Sequence, residues 1–430
     1  MSRSGVELDT DTPAAPVPPA PRAGAPDTGD PNPGDPDTGA GRRRSLPSFL
    51  APPRLPLPLI GALIYAGIRV FGVAIAAVML QHGSYRLRHW SVLRWMRAAD
   101  GGHYGAIAAH GYTYPVGDLA HASVFSWFPG YPAAIDSLAW LPGITVVTAG
   151  LIVTAAAGLA AAWGLTTLGM KLTANPRISL LMVTIWAVAP SSTVLSMLYA
   201  EALFCALAIW ALVALVDRRW LTAAGLTIAA GTVRSTALAL IAAVGVAALM
   251  AVIKAFRSRQ PFGMWWRPLA AAALAPLGLL GYLVYVALAT HRLDGWFWIE
   301  NHTCHMTFDW GVSTVQVVKG VLIGRPFVAN VLVVLAVLAA VLLMFWSLTE
   351  RIPVYLHVYT VVIVVMAVST SANWIGSKPR FLLPAVLLAL PLARLLAPVR
   401  SSVLVPMMVA LAAISTWFGL YLLVVNGWAP

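Results

Sequence analysis

Carboxylates are scarce in this sequence and cysteines almost absent. The two cysteines, Cys205 and Cys304, offer no disulfide framework and no CxxC metal pattern. Charged residues make up 10% of the 430, against 59% hydrophobic. That balance excludes an ordinary soluble multidomain chain and points to a polytopic membrane protein. Of 16 Asp and Glu, seven lie in the first 41 residues. The body keeps nine: Asp100, Asp118, Asp136, Glu201, Asp217, Asp294, Glu300, Asp309 and Glu350. Any carboxylate chemistry draws on that short set.

A net charge of +12 invites a nucleic-acid reading, which the apolar chain does not support. Basic loops on the inner side and contacts to anionic membrane lipids account for it, so no nucleic-acid partner is expected. Residues 1–41 are rich in Pro, Gly, Asp and Ala and cannot bury enough apolar surface to fold. They have neither the apolar core nor the cleavage site of a secretory signal. The division expected is a disordered cytoplasmic tail over 1–54, ending in the cluster Arg42, Arg43, Arg44 and Arg54, then a polytopic domain over 55–430.

Eleven crossings are predicted, at 59–80, 143–169, 178–197, 199–216, 221–233, 235–253, 268–290, 327–346, 353–369, 381–397 and 403–425. Arginines before the first span place the N-terminus in the cytoplasm of a cell-membrane protein. On that count Lys171, Arg177, Arg218, Arg219, Lys254, Arg257, Arg259, Arg267 and Arg351 all fall inside. The short 221–233 run is the weak point of the alternation. Residues 81–142 form the first outer loop, with interfacial helices at about 88–110 and 124–141. Ten cations fall outside: Arg86, Arg88, Arg94, Arg97, Arg234, Arg292, Lys319, Arg325, Lys378 and Arg380. Headgroup contact explains many of these, but Arg234, Lys378 and Arg380 abut apolar helix ends, where an unpaired cation is costly.

Within the loop, ADGGHYGAIAAHGY sets Asp100 three and four residues before His103 and Tyr104, a spacing that shares a helix face. Gly101 and Gly102 leave room for a substrate beside the acid. A carboxylate so placed can serve as general base or help hold a divalent cation; the bland alternative is an exposed acid pairing with Arg97. SVFSWFPGYPAA, from Ser123, carries Trp127 and Tyr131 on a stiff aromatic-proline platform. Glu201 opens an apolar run, where an acid also suits the helix dipole. Arg234, in GTVRSTA, offers a guanidinium for bidentate phosphate contact, and SKPRF adds Lys378 and Arg380. His302, Cys304 and His305 could bind zinc, but their spacing matches no common site.

Taken in order, ADGGHYGAIAAHGY, WFPGYP, LYAEALF and VRSTA resemble the PIG-V type of mannosyltransferase (GPI mannosyltransferase 2-like), of the GT-C superfamily. Asp100, His103 and Tyr104 match its acid and His-aromatic pair. Trp127, Phe128, Pro129, Tyr131 and Pro132 match its aromatic-proline stretch, Tyr199 and Glu201 its Tyr-x-Glu element, and Arg234 with Ser235 its Arg-Ser element. The family usually has Trp directly before the acid; here Ala99 holds that place, and Trp95 is the nearest. The resemblance implies an all-α GT-C bundle and an inverting hexosyltransferase working on the outer face. Its donor would be a polyprenyl-phosphate sugar, and its acceptor a glycolipid, lipoglycan or protein. Asp100 would be the base, and Arg234, with Lys378 and Arg380, would meet the leaving phosphate. A lipid or glycolipid transporter, or an inactive scaffold, are the competing readings.

Overall fold

A computed structural model describes residues 55–83, 89–113, 119–259, 261, 263, 265–324, 327–427 and 429. The expectations for the tail over 1–54, and those for Arg86, Arg88, Asp118 and Arg325, fall outside the described residues. The polytopic domain is all-α. Among the described residues extended backbone pairs only once, at a bridge between Phe308 and Thr370.

The chain opens with α1 (Leu57–His82), then α2 (Val92–Met96), α3 (Asp100–His110), a 3₁₀ segment (Leu119–Ser126) and α4 (Gly130–Ala139). Next come α5 (Val146–Thr173), α6 (Pro176–Ala187), α7 (Glu201–Val216), α8 (Trp220–Gly231), α9 (Leu238–Arg257), α10 (Trp266–Leu274) and α11 (Leu277–Thr290). The last third holds α12 (Gly295–His302), α13 (Val312–Ile323), α14 (Val328–Ser347), α15 (Val354–Ser369), α16 (Lys378–Phe381), α17 (Ala389–Leu396) and α18 (Ser401–Leu420). The helix expected over about 88–110 divides into α2 and α3 at Ala99, which adopts φ 50°, and the one expected over about 124–141 is helical as α4 only from Gly130 to Ala139.

Among the described residues six helices are long and apolar enough to cross a membrane: Leu57–His82, Val146–Thr173, Ser235–Arg257, Trp266–Thr290, Val328–Ser347 and Ser401–Val425. A seventh candidate, Ile375–Phe381 with Val386–Leu396, is bent by 77° at its break. The protein is therefore a multi-pass membrane protein. The other four expected crossings are apolar helices of 12 to 16 residues, α6, α7, α8 and α15. At 1.5 Å per residue these reach only about 18 to 24 Å, short of a hydrocarbon core of about 30 Å. The run expected over 178–197 divides because Pro190 cannot continue α6 and Ser191 adopts φ 59°.

The short length of α7 is a matter of position. It is apolar on every side and almost wholly buried, as a helix surrounded by other helices must be. Its alanines let neighbours approach closely, and Gly164 of α5 lies where a Cβ would come within 3.0 Å of Ile209. Trp210 Nε1 donates to Ala160 O across the same contact at 3.0 Å. Buried at its start is Glu201, around which the site is built.

Candidate active site

Two backbone contacts bring the sequence motifs together. Leu198 N–H donates to Met96 O at 2.7 Å, tying the segment before α7 to the turn before Asp100. Gly101 lies on that contact, with a built Cβ only 3.2 Å from Leu198 Cβ and Leu198 O. Gly130 N–H donates to Thr232 O at 2.7 Å, and a Cβ there would fall 2.6 Å from Thr232 Oγ1. Glycine is thus required where WFPGYP meets GTVRSTA.

The result is a four-charge network. Arg380 Nη1 donates to Asp100 Oδ2 at 2.7 Å, and its Nε lies 3.3 Å from Glu201 Oε1. Arg234 Nη1 reaches the same Glu201 oxygen at 2.5 Å. Glu201 and Arg380 are 1% and 3% exposed, Arg234 14% and Asp100 17%, so the network is closed below and open at Asp100. Two carboxylates balance two guanidiniums, the condition under which charges can be buried. Asp100 Oδ1 has no partner among the described residues. The Arg380 guanidinium also lies over the Tyr199 ring at 5.1 Å, and both arginines flank Phe381, Arg234 at 5.6 Å and Arg380 at 5.2 Å. Glu201 Oε2 is buried and has no hydrogen-bond partner among the described residues.

The residues beside Asp100 divide between two directions. Tyr104 turns inward and meets Tyr131 edge-on at 5.1 Å. Tyr131 in turn spends its hydroxyl on Thr154 Oγ1 at 2.7 Å, so it supports the site instead of facing a ligand. His103 is exposed and stacks on Trp127 at 3.8 Å, forming a flat aromatic surface near the acid. Burial lowers the His103 pKa against the opposing pull of Asp100, which favours the neutral ring. The shared face expected for His103 and Tyr104 is therefore split, since adjacent helical residues point about 100° apart.

Lys378 does not join the site. Its Nζ donates to Ala367 O and Val368 O, both at 3.1 Å, and to Thr370 O, capping the C-terminal carbonyls of α15. Two residues along a helix project to nearly opposite sides, so Lys378 and Arg380 could not both face Asp100. That spacing was the available signal for separating them. Of the zinc candidates, His302 stacks on Trp298, and Cys304 Sγ sits 2.9 Å from Ser126 Oγ. Among the described residues no three His, Cys, Asp or Glu side chains gather as a metal site.

Glu300 is the residue the sequence undervalued. It is buried on α12, which packs against the 3₁₀ segment and hydrogen-bonds through Ser126, next to Trp127. Burial pushes its carboxyl up to about 8, and Asp100 adds to the rise. The folded value lies above the ordinary 4.5, so the folded protein holds the extra proton between them. Stability is then greatest below pH 4.5 and declines as pH rises to about 8. Thermal unfolding from pH 5 to pH 8 should show that decline, and Glu300→Gln should flatten it. Equal slopes in both proteins would rule Glu300 out as its source.

No family model and no curated relative matches the chain. Among solved structures it is similar to ArnT from Cupriavidus metallidurans bound to undecaprenyl phosphate, at 14% identity and a TM-score of 0.46. The match covers 77% of this chain and 59% of that one, so the chain spans under two thirds of that protein's length.

Proposed function

We propose that the chain is a GT-C-type membrane glycosyltransferase. It moves a sugar, mannose by the PIG-V resemblance, from a polyprenyl-phosphate donor to a glycolipid, lipoglycan or protein acceptor at the outer face. The observation that carries this is the meeting of Asp100, Glu201, Arg234 and Arg380, from four distant segments, in one half-open charge network.

Asp100 Oδ1 takes the proton from the acceptor hydroxyl as that oxygen attacks the anomeric carbon. The bond from this carbon to the phosphate oxygen breaks, and its electron pair leaves with the polyprenyl phosphate. Direct displacement inverts the carbon, so a β-linked donor yields an α-linkage. Charge growing on the leaving oxygen meets the guanidiniums of Arg234 and Arg380, held ready by Glu201 in a water-poor site. Asp100 keeps its other oxygen on Arg380, which fixes its orientation through the transfer. The His103–Trp127 surface offers a sugar ring a stacking face. No step requires a metal ion, although a divalent cation at Asp100 and Glu201 would compete with both arginines.

Membranes incubated with labelled polyprenyl-phospho-mannose should label an acceptor that membranes of a deletion strain leave unlabelled. Absence of any difference across several acceptors would favour transport or a scaffold. Within this reading, Arg234→Lys keeps the charge but loses the planar fork, and donor use should fall at least about tenfold. Unchanged donor dependence at normal protein level would return Arg234 to a structural role.

A further inference from the structure

Trp127 is gripped on both sides of its ring. Its carbonyl accepts from the hydroxyls of Tyr112 at 2.5 Å and Tyr282 at 3.2 Å, and Tyr282 also donates to Phe125 O at 2.7 Å. The next residue, Phe128, is buried against Tyr282 at 4.5 Å and Trp296 at 5.9 Å. The preceding one, Ser126, bonds to Glu300, and Cys304 Sγ lies 2.9 Å from the same Ser126 Oγ. The Trp127 ring itself stays half-buried, with exposed His103 stacked on it at 3.8 Å.

Glu300 stands apart within that grip. It is a carboxyl only 8% exposed, and burying one is costly unless it makes hydrogen bonds. Its own loop is braced. Met306 N–H donates to Glu300 O at 2.7 Å, and farther along Asp309 N–H donates to Ser369 O and Ser371 N–H to Thr307 O, both at 2.9 Å. A fixed loop thus carries the carboxyl to the residue beside the stacking ring. With burial holding it up to about 8, Glu300 meets Ser126 at neutral pH chiefly as the uncharged acid, able both to donate and to accept.

We propose that Glu300 is a positioning residue for sugar recognition: through Ser126 it sets the Trp127 ring against His103 and so fixes the surface on which the transferred sugar stacks. This rests on the transferase reading and assigns a determinant of how its donor sugar is bound. An aromatic face binds a sugar ring well only if its tilt is settled beforehand, because ordering a loose indole subtracts from the binding free energy. Without Glu300, Ser126 keeps only the thiol of Cys304, a weak partner. The bonds to Trp127 O remain, so the fold persists while the ring loosens.

The test uses full-length protein in detergent and compares polyprenyl-phospho-mannose with sugar-free polyprenyl phosphate, each dissociation constant read from thermal shifts. The ratio of the two constants isolates the sugar. Wild type and Glu300→Gln should favour the sugar-bearing lipid about three- to tenfold, the range of one aromatic stacking contact. Glu300→Leu and Trp127→Ala should each bring the ratio near one, with sugar-free polyprenyl phosphate bound as in wild type. Adding Glu300→Leu to Trp127→Ala should change nothing further, because Glu300 acts through that ring. A ratio near one in wild type, an unchanged ratio in Glu300→Leu, or a further loss in the double variant would overturn the assignment. So would an equal loss in Glu300→Gln, since the amide still reaches Ser126. If wild type transfers no mannose but keeps the ratio, and Glu300→Leu loses it, the transferase reading falls and the positioning role stands.

Discussion

Asp100→Asn accumulates in the membrane at normal levels and transfers almost no sugar; that is the expected result for the base. The other acids are engaged or misplaced. Asp217, Asp294 and Glu350 pair with Lys171, Arg292 and Arg394. Asp309 accepts from the N–H groups of Gly311 and Ser313, both at 3.0 Å, and so fixes a turn. Glu300 is closed in against Ser126, and Glu201 is buried beneath two guanidiniums. Asp136 is exposed on α4, and Asp118 lies outside the described residues. Asp100 alone has one oxygen anchored and one open beside an aromatic surface. General-base catalysis contributes about 10²–10⁴-fold, so the asparagine variant should lose at least about a hundredfold in rate. More than about a tenth of wild-type transfer would mean that the base lies elsewhere.

Arg380→Met should give the largest loss of stability. It removes the one cation shared by Asp100 and Glu201, leaving Glu201 with Arg234 and Asp100 with none. Breaking a buried ion pair from one side costs about 3–5 kcal/mol, because the remaining charge stays out of water. Thermal unfolding in detergent measures it. Adding Asp100→Asn to Arg380→Met should recover part of the loss, since the neutral amide needs no counter-charge. A loss below about 1 kcal/mol would show that water already reaches the network and screens it.

Much of the fold was legible because apolar runs report lipid contact and burial alike. That double meaning also blurs the count of spans. The sequence of α7 reads as a span, yet its all-round burial lets sixteen residues suffice. The run over 221–233, already short on paper, is a twelve-residue helix. The Glu201–Arg234 part of the site was readable from motifs in order along the chain. Arg380 and Lys378 looked equivalent because composition records charge without direction; one holds Asp100 and the other caps α15. Glu300 could not be singled out, since its burial depends on how α12 meets the 3₁₀ segment, a contact between elements almost two hundred residues apart.

The ion pairs of the site also differ in when their members come into existence during synthesis. Glu201 and Arg234 are 33 residues apart, and Asp100 and Arg380 are 280 apart. At ribosomal speeds of about 5–20 residues per second, Glu201 waits roughly 2 to 7 seconds for its cation and Asp100 roughly 15 to 55. The acid with the long wait is the one at the rim, where water can solvate it in the meantime. The acid destined for the interior is served first. A ribosome stalled before Arg380 would therefore leave a chain whose interior pair is complete and whose rim carboxylate is still unanswered, a state that quality-control machinery could tell from the finished protein.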